Sequence, residues 1–502
     1  MLKKSSVLFL LIAGLTFAAE TVFQQGSTLK FFARVSKVSD AEITAYMPSS
    51  KTLFAVGGNK TITVINLENP KKLAVQEVIA VPGDASSVTV FNDMVAVSLI
   101  ADPHTEDGHV HLYQYSDSLR LIKSYTVCPE PDMLTFTPNG KTILVACEGS
   151  PAADYSVDPE GAIALIDVTK ESESEAVSIL RFNHLDSAAL LQKGVRKSGP
   201  SSFFQNLEPE YITVEPSGQK AWVSLQENNA IAVIDVMAKK IKSVFPLGAV
   251  DHSLPGQGFD FRKDKKAKIE NAPVMGLRQP DGIAVYSKND QNFVLTANEG
   301  ASRKSPVFTD ETNILKLFEK GSLNTDIFNA SWLTALQKLT LSNSESCEIF
   351  PDHQCTAVYT FGSRSMSVFD GNTGTLLFDS GDQIEKTIAE VAPQYFNWNS
   401  KKKKVEVDAR SLDKGSEPET VTIGEVNGRS LAFLGLERVS GIMVWDLANP
   451  QKPVIIDYYL DVKDRGPEGI LFISGENSPI SGVPLLIVGY EYSNTIVIYT
   501  IQ

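Results

Sequence analysis

Residues 207–236 read LEPEYITVEPSGQKAWVSLQENNAIAVIDV, and the fold turns on this stretch. Pro209 and Glu210 open one apolar run, Pro-Ser-Gly punctuates it, a second run ends at Glu227, and a third alternates its apolar residues. Short β-branched and aromatic runs parted by Gly, Pro and Asn are strands rather than helices. The same three-part unit recurs along the chain. Its opening reads EPDMLTF around Asp132, EPEYITV around Glu210, QPDGIAV around Asp281, EPETVTI around Glu419 and GPEGILF around Glu468. A strand ending in glutamate follows 16 to 23 residues later: ILVACEG (Glu148), WVSLQEN (Glu227), FVLTANEG (Glu299), LAFLGLER (Glu437) and LLIVGYEY (Glu491). The alternating strands are AIALIDV, AIAVIDV, SMSVFDG, GIMVWDL and TIVIYTI. Two N-terminal units, LFAVGGNKTITVINL and DMVAVSLI followed by HVHLYQY, are read as carrying the strands without the acids.

Seven units result, starting near residues 41, 86, 130, 208, 279, 417 and 466. Small antiparallel sheets repeated in this way predict an all-β, seven-bladed β-propeller, where radial packing protects the edges. No alternation of strands with long helices supports a Rossmann or TIM-barrel fold. The last unit lacks a fourth strand, and LKFFARVS (29–36) is left over. That segment is expected to become the outer strand of the seventh blade and close the ring. Blades of about 40–45 residues use roughly 300 residues, so insertions are expected near 185–206, 250–277, 300–356 and 380–415. The third contains ILKLFEKG and SWLTALQKL, apolar at helical spacing, and is expected to be a helical excursion. Lys401 to Lys404 reads as a solvated loop.

Lys3 and Lys4 followed by an apolar stretch to Phe17 form a leader pattern, with cleavage expected after Ala18 (residues 1–18). Residues 19–502 then form one domain, expected to be secreted, periplasmic or at the cell surface. The 502 residues carry 60 acids against 46 bases, a net charge of −14. Nucleic acid and anionic membranes are poor partners for such a chain. Unidentified proteins, glycans or cationic ligands are the expected partners, without membrane insertion. Four cysteines in an exported chain point to two disulfides. Cys128 and Cys147 can pair across neighbouring strands, and Cys347 with Cys355 can staple a short loop; four buried thiols are the alternative.

The long motifs, including FGSRSMSVFD, FDSGDQIE and DARSLDKGSEPETVTIGEVNGRSLAFLGLERVSGIMVWDLANP, resemble the choice-of-anchor I family. That family includes mesenchyme-specific cell surface glycoprotein-like members and exported bacterial proteins. The resemblance implies a seven-bladed, WD/YVTN-like propeller at the cell surface or outside the cell. The association of its animal members with biomineralisation implies calcium or anion handling. Two departures from the family pattern weaken a metal site at the fifth blade: Ala301 follows the NEG motif, and the Cys347–Cys355 segment replaces an acidic loop.

In a blade, the start of the first strand and the end of the second share one face. Asp132, Glu148, Glu210, Glu227, Asp281, Glu299, Glu419, Glu437, Glu468 and Glu491 are therefore expected around one rim of the channel. Ten carboxylates repel one another unless compensated. Calcium, which takes six to eight oxygens, is one compensator, and Glu210, Glu227, Asp281 and Glu299 are the expected ligands. Backbone amides are another. Arg278, Arg364, Lys414, Arg465 and Arg438 are a third, as salt-bridge or anion partners. The acids can also simply tie blade to blade. His109 and His111 alternate on one strand with Asp107 near them, and the three can hold a transition metal or be plain surface residues. His252 lies in a glycine-rich insertion and can line the face. No nucleophile elbow, Walker loop or HExxH motif occurs. Two functions stand against each other: a binding or scaffold protein, and a metal-dependent hydrolase of phosphoesters or lactones at the channel.

Overall fold

Val426 and Arg429 face each other across a two-residue turn in which Asn427 and Gly428 both take positive φ, 53° and 75°. Such turns match the twist of antiparallel strands, and Asn-Gly adopts them at little cost. Asn289 and Asp290, at φ 51° and 60°, do the same between Lys288 and Gln291. Local turn chemistry thus sets the strand register from one hairpin to the next.

The computed structural model describes residues 21–346, 355–402 and 404–502. The expected leader, residues 1–18, lies outside them, as do Cys347 and Lys403. Among the described residues no helix is long and apolar enough to cross a membrane.

The described chain is all-β with a few short helices, and its strands form seven antiparallel sheets of four or five strands plus two smaller ones. The first strands of the seven are Ile43–Met47, Asp84–Phe91, Pro131–Phe136, Ile212–Val214, Ile283–Lys288, Pro418–Val426 and Pro467–Ile473. Each packs against the next in that order, and the seventh meets the first. Between the sheets lie clusters of buried side chains, such as Phe293, Leu295, Leu434 and Trp445 between the fifth and sixth.

Leu29–Ser36 pairs antiparallel with the C-terminal strand Thr495–Ile501, from Leu29 opposite Ile501 to Ser36 opposite Thr495. The leftover N-terminal segment therefore completes the seventh sheet. A second N-terminal strand, Val22–Gln25, adds a fifth member to the sixth sheet, with Val22 opposite Asp461. Gly26 lets the chain cross between the two sheets: its φ is 91°, and a Cβ there would meet the Ile456 carbonyl oxygen at 2.4 Å. Arg34 ties the crossing down through ion pairs to Asp461 and Asp464.

Cys128 and Cys147 form a disulfide that joins the last strand of the second sheet to the second strand of the third. None of the described cysteines is free. The 300–356 insertion contains helices Ile314–Glu319 and Ala330–Leu336, capped by Asn313 and Asn329. It packs with the 250–277 insertion around Phe259, Phe261, Ile314, Leu317 and Phe328.

Candidate functional site

The acids that follow proline sit at irregularities in the strands. Pro131 faces Cys147, Pro418 faces Leu436 and Pro467 faces Tyr490, and in each case the ladder shifts register immediately afterwards. A bulge bends the strand and re-aims the side chain at its unpaired residue. Asp132, Glu419 and Glu468 occupy these bulges. The residues before proline, Glu130, Gln279, Glu417 and Gly466, have positive φ, so each chain turns sharply before the strand begins.

The re-aimed side chains converge on a cavity of about 280 Å³ inside the ring of first strands. Glu42, Asp132, Asp281, Glu419 and Glu468 line it together with Ser86 and Tyr211, and no Lys, Arg or His is among its lining residues. Glu42 is an addition and corrects the reading of the first unit as lacking acids: Ala41-Glu42-Ile43 takes the Pro-acid position without the proline. Ser86 falls at the bulge of the second sheet and donates from Oγ to the Pro131 carbonyl at 2.6 Å.

Burial raises these carboxyls, and their neighbours raise them further. Glu42 is pushed up to about 7 by burial and then by Glu491, Asp40 and Asp132. Asp132 reaches about 7 through burial and Glu130. Asp281 also reaches about 7, through burial and then Glu299 and Asp132. Glu210, Glu419 and Glu468 stand well above the carboxylate range for the same two reasons, burial first. The Pro-acids feel the glutamates at the ends of the second strands: Asp281 feels Glu299, Glu210 feels Glu227, and Glu468 feels Glu437 and Glu491.

Protein cations gather on one side of this second tier. Lys414 pairs with Glu299 and, at 3.0 Å, with Glu417. Arg410 and Arg438 also bind Glu417, at 2.5 and 3.2 Å. Burial alone would raise Glu417, but Lys414, Arg410 and Arg438 hold it down at about 2. Glu437 is held by Arg438 at 3.2 Å and by the Tyr492 hydroxyl. Glu299 also accepts from Gln226 Nε2 at 2.8 Å. Farther round, Arg303 pairs with Glu208, and burial pushes Glu208 up to about 8 despite that partner. These two line a cavity of about 320 Å³ with Glu148, Glu227 and Tyr155.

Three of the cations expected to neutralise the rim are engaged elsewhere. Arg278 pairs with Asp379 at 3.0 Å and donates to the Leu247 carbonyl. Arg364 pairs with Glu385 at 2.8 Å and caps the carbonyls of Asp260, Ser411 and Asp413. Arg465 donates to the Ser400 and Tyr492 carbonyls. All three fasten insertions or strand ends, where loop carbonyls need donors. His252 is buried, its ring tilted against Phe259 at 4.3 Å between centroids, rather than lining the face. His111 is buried against the Tyr113 hydroxyl.

Among the described residues, three groups of carboxylates bring one ligand atom each within 4.8 Å of one another: Asp281–Glu299–Glu419, Glu299–Glu417–Glu437 and Glu437–Glu468–Glu491. Neither Glu210, Glu227 nor a histidine belongs to any of them. The four expected ligands are thus divided, because Glu210 and Glu227 face each other one sheet away from Asp281 and Glu299.

The profile of the choice-of-anchor I domain matches residues 42–450. The chain belongs to the choice-of-anchor I family. It is similar to the mesenchyme-specific cell surface glycoprotein of Strongylocentrotus purpuratus, 27% identical over 388 residues, 70% of this chain and 48% of that protein. It is also similar to Gigasin-3a of Magallana gigas, 26% identical over 188 residues, 33% of this chain and 65% of that one. The chain therefore spans less than two thirds of either curated relative. Among solved structures it is similar to Kuenenia stuttgartiensis hydrazine synthase, at 12% identity and a TM-score of 0.47, covering 92% of this chain and 96% of that one.

In this choice-of-anchor I chain, sequence reasoning passed over Glu417, Glu208 and Glu130. Each stands directly before the proline of a Pro-acid pair, so in three of the five repeats the legible signal was Glu-Pro-acid. Arg303 and Arg410 lie in insertions without a repeat to mark them.

Proposed function

We propose that this chain is an exported, cell-surface binding or scaffold protein built as a seven-bladed β-propeller, whose acid-lined channel binds cations, calcium among them. The closed order of first-strand contacts supports the propeller. The family and the relative from Strongylocentrotus purpuratus support the location. One observation carries the ligand class: five carboxylates line a cavity of about 280 Å³ with no basic side chain among them. Hard cations suit a flexible, oxygen-rich site of this kind.

Calorimetric titration of the mature protein with calcium, paired with thermal scans in calcium and in chelator, tests the proposal. Saturable heat and a higher melting temperature in calcium are expected. Binding at a hundredfold excess over Kd stabilises the fold by about 2.7 kcal/mol. No heat and superimposable melts would sink the cation reading. A second reading, a metal-dependent hydrolase of phosphoesters or lactones, is favoured by the neighbouring polar cavity, where Glu208 is raised to about 8 beside Arg303. Calcium-dependent turnover that disappears in Glu227→Gln would favour the enzyme.

A further inference from the structure

The three carboxylate groups form a connected row, because Glu299 belongs to the first two and Glu437 to the last two. The middle group, Glu299–Glu417–Glu437, already holds a cation of the chain's own: the Lys414 ammonium binds Glu299 and Glu417. Arg438 and Arg410 supply two further positive charges there, so three cations face three carboxylates. The row therefore displays, within the protein, what this spacing of oxygens accepts.

The first group differs at Asp281 and Glu419. Among the described residues no ion pair reaches either of them, whereas Glu299 is shared with Lys414. Once the three cations are assigned to Glu299, Glu417 and Glu437, Asp281 and Glu419 are left without one, and their ionised forms together carry −2, the match for one divalent ion. A second observation points the same way. Glu419 is only 6% exposed, its carboxyl meets that of Asp281, and its Oε2 is buried without a hydrogen-bond partner; the Oε2 atoms of Glu210 and Glu227 are bare as well, but only Glu419 stands in a group of three carboxylates. A buried acceptor left bare costs free energy that a ligand recovers. Two Ca–O distances of about 2.4 Å span about 4.8 Å, and the ligand atoms of Asp281, Glu299 and Glu419 lie within 4.8 Å of one another. Asp281 and Glu419 also line the central cavity, which leaves room for waters to complete the shell.

We propose that Asp281, Glu299 and Glu419 form a site for one hard divalent cation of the calcium class at the junction of the fifth and sixth sheets, beside the chain's own cation Lys414. The site rests on the cation-binding reading above and replaces a diffuse ring with one set of ligands. It also excludes Glu210 and Glu227 as ligands.

Calcium titration calorimetry on the mature protein, Glu419→Gln, Asp281→Asn and Glu210→Gln tests it, with melting curves in chelator checking that each variant folds. One calcium per wild-type chain is expected. Glu419→Gln and Asp281→Asn should each weaken binding on the order of tenfold or more, and Glu210→Gln should leave affinity within about threefold. Unaltered binding in both Glu419→Gln and Asp281→Asn, with loss in Glu210→Gln, would move the cation elsewhere on the ring; this proposal would fall and the cation reading would stand. Absence of calcium, magnesium or manganese binding by the wild type would overturn both. Because a Gln amide can still donate to the Asp281 carboxylate that Glu419 now meets, Glu419→Gln should melt in chelator no lower than the wild type. Should it fail to fold, Asp281→Asn and terbium luminescence competed by calcium decide the matter on the same affinity ratio.

Discussion

Lys414 Nζ lies 3.0 Å from Glu417 Oε2, and the same ammonium binds Glu299 across the gap between sheets. Lys414 comes from the insertion before the sixth sheet and Glu299 from the end of the fifth sheet's second strand. The insertion thus places positive charge among the acids that the repeat brings together.

Replacing Lys414 by methionine should leave Glu299 without its cation and Glu417 with fewer. Breaking a buried pair in this way costs on the order of 3 kcal/mol, read as a lower denaturation midpoint in chelator. Calcium should recover part of the loss, because an ion can take the vacated position. A variant as stable as the wild type in chelator would mean that Arg410 and Arg438 suffice.

Acid groups whose pKa is raised in the fold bind protons more tightly folded than unfolded. Glu42 and Asp132 both stand at about 7, above their ordinary values of 4.5 and 3.8. Their contribution is full below about pH 4 and is lost as pH rises through 7. In chelator, the melting temperature should therefore fall between pH 5 and 8, and Asp132→Asn should flatten part of that slope. His252 works in the opposite sense. Burial lowers it to about 4, so its contribution is present above its ordinary 6.5 and fades as pH drops through 4. A melting temperature that rises steadily from pH 5 to 8 would contradict the buried-acid account.

Deleting residues 27–36 removes the partner of Thr495–Ile501 and bares the edge of a strand whose residues are mostly buried. Exposed edges recruit other chains. The truncated protein should melt much lower or aggregate on light scattering. A truncation that melts like the protein retaining these residues would show that the seventh sheet holds without this strand.

The Cys128–Cys147 bridge spans a sequence separation of 19 and joins two sheets. Loops of that length are worth about 3 kcal/mol when closed by a disulfide. Cys128→Ser with Cys147→Ser should lower the denaturation midpoint accordingly, and peptide mapping without reduction should recover the linked pair. Free thiols at both positions in the exported protein would refute it.

Much of the architecture was legible because it repeats. The unit starts expected near 41, 86, 130, 208, 279, 417 and 466 fall close to the first strands at 43, 84, 131, 212, 283, 418 and 467, because alternation and turn residues act over a few residues and leave their mark in the text. The unpaired N-terminal strand was legible for a related reason: a sheet one strand short has to find another. Val22–Gln25 was not, since four residues carry too little pattern to announce a strand.

The candidate site divides along the same line. Asp132, Glu210, Asp281, Glu419 and Glu468 could be named from the repeat, because each Pro-acid pair is a local device that turns the chain and starts a strand. Glu42 lacks the proline and was missed, although it lines the same cavity. The pairing of Lys414 with Glu299, the engagement of Arg278 by Asp379, and the grouping of Asp281 with Glu419 rather than Glu210 came only from the tertiary structure. Strand, turn and repeat are written in residues close along the chain, whereas charge compensation depends on which insertion folds over which rim. That choice is made by packing across more than a hundred residues, where sequence spacing carries no distance.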